Sequence, residues 1–197
     1  MGRPRKDAFD EATTLRVMKA AETIFGERGY RDARLEDIAA QASIRRPSLL
    51  YHFGSKENLY RLVVRQAFEE IRGAITEALM KRDGYEDKIE DTVDAMIELS
   101  QNRRPLLGVL LRTLIDPTAA GRDDVVEEFT GVIDLVAQGA EMFGGDRRPD
   151  NVVSRSVLCY FLIAELARAA MGDASEGVFG PQSDLLPIVR RMLLRDA

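Results

Sequence analysis

Residues Arg34 to Lys56 read RLEDIAAQASIRRPSLLYHFGSK, and the reading of this stretch decides the fold. Leu35, Ile38, Ala39 and Ala42 recur at helical spacing, which predicts one short amphipathic helix. Ala42-Ser43-Ile44 breaks that period. Pro47 then falls in the first turn of a second short helix, where its missing N–H is harmless and its fixed φ helps. That second helix carries Leu49 and Phe53 on one side and Arg46, Ser48, Tyr51 and His52 on the others. Two short helices joined by a three-to-four residue turn, the second with basic, hydroxyl and aromatic tips, form a helix-turn-helix over residues 34–53. A single helix of this size fits the major groove, where Arg grips guanine O6 and N7 together, so Arg45 and Arg46 are the first candidates for contact with DNA.

The segment Ser48-Leu49-Leu50-Tyr51-His52-Phe53-Gly54-Ser55-Lys56-Glu57-Asn58-Leu59 resembles the recognition helix and exit of the tetracycline-repressor (TetR) family. Upstream, Ala20 to Tyr30 (AAETIFGERGY) and Glu36-Asp37-Ile38-Ala39 resemble that family's first and second helices. The likeness covers roughly residues 11 to 71, and beyond residue 72 it is architectural only. It adds Pro47, Ser48, Leu50, Tyr51, His52 and Lys56 as positions facing DNA. There are two departures. Arg34 stands where the family usually has a Ser or Thr N-cap, a loss of about 1 kcal/mol that Glu36 and Asp37 partly offset through the helix dipole; an Arg here also reaches toward a phosphate. Leu50 stands where the family often has a tyrosine. It reads a thymine methyl if it faces the groove and joins the core if it turns inward.

Charge is divided in the same way. The chain of 197 residues has a net charge of −5, which is unexpected for a DNA binder until it is split. Residues 1–56 hold eleven Lys/Arg against eight Asp/Glu, and the remainder seventeen against twenty-five. A basic head on an acidic body concentrates phosphate affinity at one end. The opening MGRPRK carries Arg3, Arg5 and Lys6 with no apolar anchor. Such an arm either enters a narrow minor groove beside the head or is a solvated tail.

The rest of the chain predicts an all-α protein. A head of three helices (residues 1–56, with an arm at 1–9) precedes a body at 57–197, a bundle of about six helices for ligand binding and dimerisation. The periodicity places helices at about 10–28, 56–81, 85–101, 105–116, 123–143, 149–171 and 183–195, with Gly29 as a left-handed stop for the first. Residues 172–182, rich in glycine and polar side chains, read as a mobile loop. The helix at 149–171 is apolar on nearly all sides, so part of its burial is expected from a second subunit.

The resemblance implies a body that binds a small effector among its first helices and forms a homodimer through its last two. Phe68, Met96 and Phe129 are apolar candidates for the pocket, each equally able to serve as plain core. Arg112, Cys159 and Tyr160 are polar groups within apolar helices, which need partners. A pocket of this kind suits a hydrophobic or amphipathic molecule. Leu166 and Ala167 in one helix, with Val189 and Met192 in the other, are the candidates for the dimer face.

Other functions find little support. The single His52 and single Cys159 lie on different elements, giving no nucleophile–base pair, and no phosphate-binding glycine loop is present. One cysteine excludes an internal disulfide and a Cys-based zinc cluster. No catalytic residue, cofactor or metal is expected. Without a run of transmembrane length or a signal-like start, the reading is cytoplasmic and not membrane-bound. The leading expectation is a ligand-responsive transcriptional regulator, a repressor, binding a palindromic double-stranded operator as a dimer. The competing one is a helical DNA-binding or protein-interaction protein without an effector.

The arm yields a direct test. Deleting residues 2–6 is expected to weaken DNA binding in a low-salt anisotropy titration while leaving the melting temperature and the oligomeric state unchanged. Unaltered affinity makes the arm a tail.

Overall fold

A computed structural model describes residues 11–144 and 151–193; the arm residues Arg3, Arg5 and Lys6 lie outside it. The described residues contain helices and turns and no strand: α1 (Glu11–Asp32), α2 (Leu35–Gln41), α3 (Arg46–Phe53), α4 (Lys56–Lys81), α5 (Tyr85–Asn102), α6 (Arg104–Ile115), α7 (Arg122–Gly144), α8 (Asn151–Met171), α9 (Ser175–Phe179) and α10 (Leu185–Leu193). None of these helices is long and apolar enough to cross a membrane.

Local chemistry explains the ends. The course of α1 is broken at Gly29, whose φ of 75° is the left-handed value that glycine adopts without a Cβ penalty. Ser55 caps α4, its hydroxyl accepting the Asn58 N–H at 3.0 Å. Pro105 sits in the first turn of α6. One segment differs from expectation. Residues 172–182 are wound into a 3₁₀ turn (Gly172–Ala174) and the short α9, followed by a second 3₁₀ turn beginning at Gln182. The guanidinium of Arg168 holds this segment by donating to the carbonyls of Phe179 (3.0 Å) and Gly180 (2.9 Å). Glycine-rich composition did not reveal this tether, which comes from α8.

The core runs unbroken from the head into the body. Val17, Phe25, Ile38 and Leu49 in the head join Leu59, Phe68 and Ile75 of α4 and then Leu107, Val132 and Leu166. Each large side chain so buried contributes about 1.5–3 kcal/mol. Two helices carry the joint. α4 passes from one part to the other, as its length predicts. α6 forms the second link by packing across α1 and against α8. Where α6 meets α1 the backbones nearly touch: a Cβ on Gly26 would lie 2.4 Å from the carbonyl oxygen of Pro105, and one on Gly108 would lie 3.6 Å from that of Gly26.

Polar contacts surround this crossing. Arg112 Nε donates to the Gly26 carbonyl at 2.8 Å. Arg103 reaches Glu22 of α1 at 2.8 Å and Glu70 of α4 at 3.0 Å. Burial pushes the Glu22 carboxyl up, and the positive charge of Arg103 opposes that shift. The Tyr60 hydroxyl of α4 meets that of Thr113 on α6, and the Tyr60 ring lies edge-on to Phe25 (4.8 Å) and Tyr30 (4.9 Å).

Gly26→Ala is therefore expected to push α1 from α6 and lower stability by about 1–3 kcal/mol, the range for overpacking a closed contact. Urea denaturation measures it; a change below about 0.5 kcal/mol, the ordinary surface value, means the crossing yields freely.

Candidate nucleic-acid interface and body cavity

The angle between α2 and α3 is fixed by their connecting turn. The Ile44 N–H donates to the Ala39 carbonyl (2.9 Å) and the Ser43 N–H to that of Ala40 (3.0 Å). These are the paired bonds of a Schellman stop, with Ser43 in the left-handed position at φ 57°. Ile44, the next residue, packs against the core. The turn thus satisfies the last carbonyls of α2 and aims α3.

Only one residue of α3 is fully buried, Leu49. Arg45, the N-cap, and Arg46, Pro47, Ser48, Tyr51 and His52 are exposed, so the structure brings these predicted DNA-facing residues together on one surface. Tyr51 is 70% exposed, and its ring lies edge-on to His52 at 5.1 Å. Leu50 is half-buried and packs on the core, which favours the inward alternative. Arg34 is exposed at the N-cap of α2 and its side chain makes no cap bond. Lys56 is more committed than expected: its ammonium donates to the Arg31 carbonyl at 3.0 Å and lies 4.7 Å above the Tyr30 ring. Partial loss of hydration there lowers its pKa.

An apolar cavity of about 40 Å³ lies in the body among α4, α5, α7, α8 and α10, walled by Ile75, Leu79, Val93, Met96, Val136 and Phe161 among others. Of the six residues proposed for a pocket, only Met96 lines it. Phe68 is fully buried in the core, and Phe129 is half-buried against it. Arg112 is exposed on α6 and turned to α1, Cys159 is half-buried, and Tyr160 is 75% exposed. The division follows from helix facing: apolar surroundings in sequence do not say which side of a helix looks inward.

Lys88 on the cavity wall escaped the sequence reading. It is only 5% exposed, and its ammonium donates to the carbonyls of Leu79 and Arg82 at the end of α4 and faces the Phe143 ring at 4.3 Å. The signal was its spacing: Tyr85, Lys88, Thr92 and Met96 share one stripe of α5.

The dimer candidates also divide. Leu166 (2% exposed) and Val189 (4%) are buried within the protomer's own core, and Val189 lines the cavity. Ala167 is half-buried and Met192 exposed. The outward stripe of α8 is Tyr160, Ile163, Ala167 and Met171, and Ile188 and Met192 of α10 are exposed as well.

Comparison with known proteins bears on the head first. Residues 17–63 match the family of bacterial regulatory proteins, tetR family. Over these residues the chain carries a tetR-type head. The biofilm operon negative transcriptional regulator IcaR of Staphylococcus aureus is 37% identical over 60 residues, 30% of this chain and 32% of IcaR. The transcriptional activator FasR of Mycolicibacterium smegmatis is 27% identical over 86 residues, 44% of this chain and 39% of FasR. The matched stretches thus span about a third of these two relatives. The tetR architecture extends over the body as well. SCO4454, a TetR-family transcriptional regulator from Streptomyces coelicolor, superposes with a TM-score of 0.75 at 20% identity, over 93% of this chain and 95% of that one. The SmeT–triclosan complex superposes with a TM-score of 0.72 at 19% identity, over 95% and 94%.

The turn supplies a stability test. Ser43→Gly removes the Cβ penalty of a left-handed residue, about 1–2 kcal/mol, and loosens the unfolded chain. The net expectation is a gain of about 0.5–1 kcal/mol in denaturant unfolding. A loss would show that the serine hydroxyl contributes more to the turn than its backbone strain costs.

Proposed function

We propose that this tetR-family protein is a dimeric, ligand-responsive repressor that binds a palindromic operator and is released by a small hydrophobic effector. The observation carrying this reading is the exposed face of α3, with Arg45, Arg46, Pro47, Ser48, Tyr51 and His52 presented by a helix anchored through Leu49. The N-terminal residues of such a helix are the ones that reach base edges. Residues 1–56 act as the head and 57–197 as the body. Arg34 and the arm residues Arg3, Arg5 and Lys6 serve phosphate or minor-groove contact. Repression draws support from IcaR, which is 37% identical over 60 residues and is a negative regulator.

A single head reads about one half-site, so operator affinity needs two heads on one rigid body. The outward stripe Tyr160, Ile163, Ala167 and Met171, with Ile188 and Met192, supplies an apolar surface for an isologous contact. The effector reading rests on the cavity. Ile75 and Leu79 on its wall belong to α4, whose other end carries Lys56 and Tyr60 beside the head, so a molecule wedged there displaces α4. SmeT, which shares the architecture, was solved with triclosan. A second reading, DNA binding without any effector, is favoured by the size of the cavity, which has room for only a few water molecules.

Selection from random duplexes followed by anisotropy is expected to recover a palindrome bound with steep salt dependence. Binding without sequence preference overturns the DNA-reading role. Ile163→Glu is expected to give a monomer in sedimentation and at least tenfold weaker operator binding, with the head intact; a dimeric variant with normal affinity places the interface elsewhere. Apolar compounds that raise the melting temperature and release the operator support the effector. Their complete failure leaves the effector-free reading.

A further inference from the structure

The surface of the helix-turn-helix holds an ion pair that joins its two helices. Oε1 of Glu36, in the first turn of α2, lies 2.8 Å from Nε of Arg46, the first residue of α3. Both side chains are well exposed. Exposed pairs contribute little to stability, so the value of this one lies in where it leaves the guanidinium. Glu36 engages the inner nitrogen, Nε. The two outer Nη groups, which form the fork that grips guanine O6 and N7, stay available. An unrestrained arginine at this position has many rotamers and finds phosphates as readily as bases; one drawn to a carboxylate at Nε has fewer orientations open to it before DNA arrives. The carboxylate has a second effect. Standing on the face that meets DNA, it repels phosphates and lowers affinity for every sequence alike.

We infer that Glu36 is a specificity-determining positioning residue: it holds Arg46 for end-on reading of a guanine and disfavours binding to non-operator DNA. The inference rests on the DNA-binding reading above and goes beyond it by naming the residue that orients the base contact.

The test compares full-length wild type, Glu36→Gln, Arg46→Ala and the double variant on a set of duplexes in which each position of the selected site is varied in turn. Glu36→Gln is expected to bind non-cognate duplexes several-fold more tightly, since a negative charge is gone. At one position in each half-site its preference for G·C is expected to fall about tenfold, within the discrimination carried by one bidentate contact. Arg46→Ala is expected to lose preference at that same position, and the double variant to lose no more there than Arg46→Ala alone. A uniform gain in affinity with an unchanged preference profile makes the pair a plain surface salt bridge and overturns the inference. So does a loss of preference in Glu36→Gln at a position that Arg46→Ala leaves untouched, because Glu36 then reads a base itself. A wild-type protein that selects no sequence at all overturns the DNA-binding reading and this inference with it; wild-type selection with an unaltered Glu36→Gln profile overturns this inference alone.

Discussion

The near-contact of α1 and α6 at Gly26, Gly108 and Pro105 is the constraint on which the arrangement of head and body depends. With no side chain between them, the two helices meet backbone to backbone, and the groups around the crossing fall into register. Arg112 closes on the Gly26 carbonyl, Arg103 ties α1 to α4 through two carboxylates, and Tyr60 joins α4 to Thr113. A crossing this tight tolerates little sliding, because dense packing turns small shifts into clashes. The head is held from two sides, by α4 below it and by α6 across α1.

On this base the head presents its reading surface with little freedom. The Schellman stop at Ser43 fixes α3 against α2, Leu49 anchors α3, and Glu36 braces Arg46 across the turn. Lys56 closes the exit by bonding the Arg31 carbonyl over the Tyr30 ring. Each device is local, and together they present one exposed face. The body is organised differently, with apolar helices around a small apolar cavity and one buried ammonium at the end of α4.

That contrast also explains what could be read in advance. The head was legible because its determinants lie within a few residues of one another: a proline in the first turn of α3, a serine capping α4, glycine at the end of the first helix. The general order of body helices followed from periodicity. What escaped depends on contacts between distant residues. Nothing near Gly26 announces Gly108. Lys88 hid because charged residues are read as solvated, although it shares a stripe with Met96. In α8, which is apolar almost all round, Leu166 and Tyr160 look alike in sequence, yet one is core and the other faces out. The segment at 172–182 was misread because composition predicts looseness, whereas Arg168 supplies the bonds that order it.

The length of α4 has a mechanical consequence. Its 26 residues form a rod of about 39 Å at 1.5 Å per residue, with the cavity at one end and the head at the other. A tilt of about 5° about the cavity end sweeps the far end through roughly 3 Å, on a rod of that length. Because α1 is clamped to α6 as well, the head turns with the rod only where α6 moves with it. In the proposed dimer, two heads matched to half-sites about 34 Å apart, one turn of the duplex, would each lose their base contacts in such a rotation. The rod is a lever: a tilt of a few degrees in the body becomes a shift of roughly 3 Å at the head.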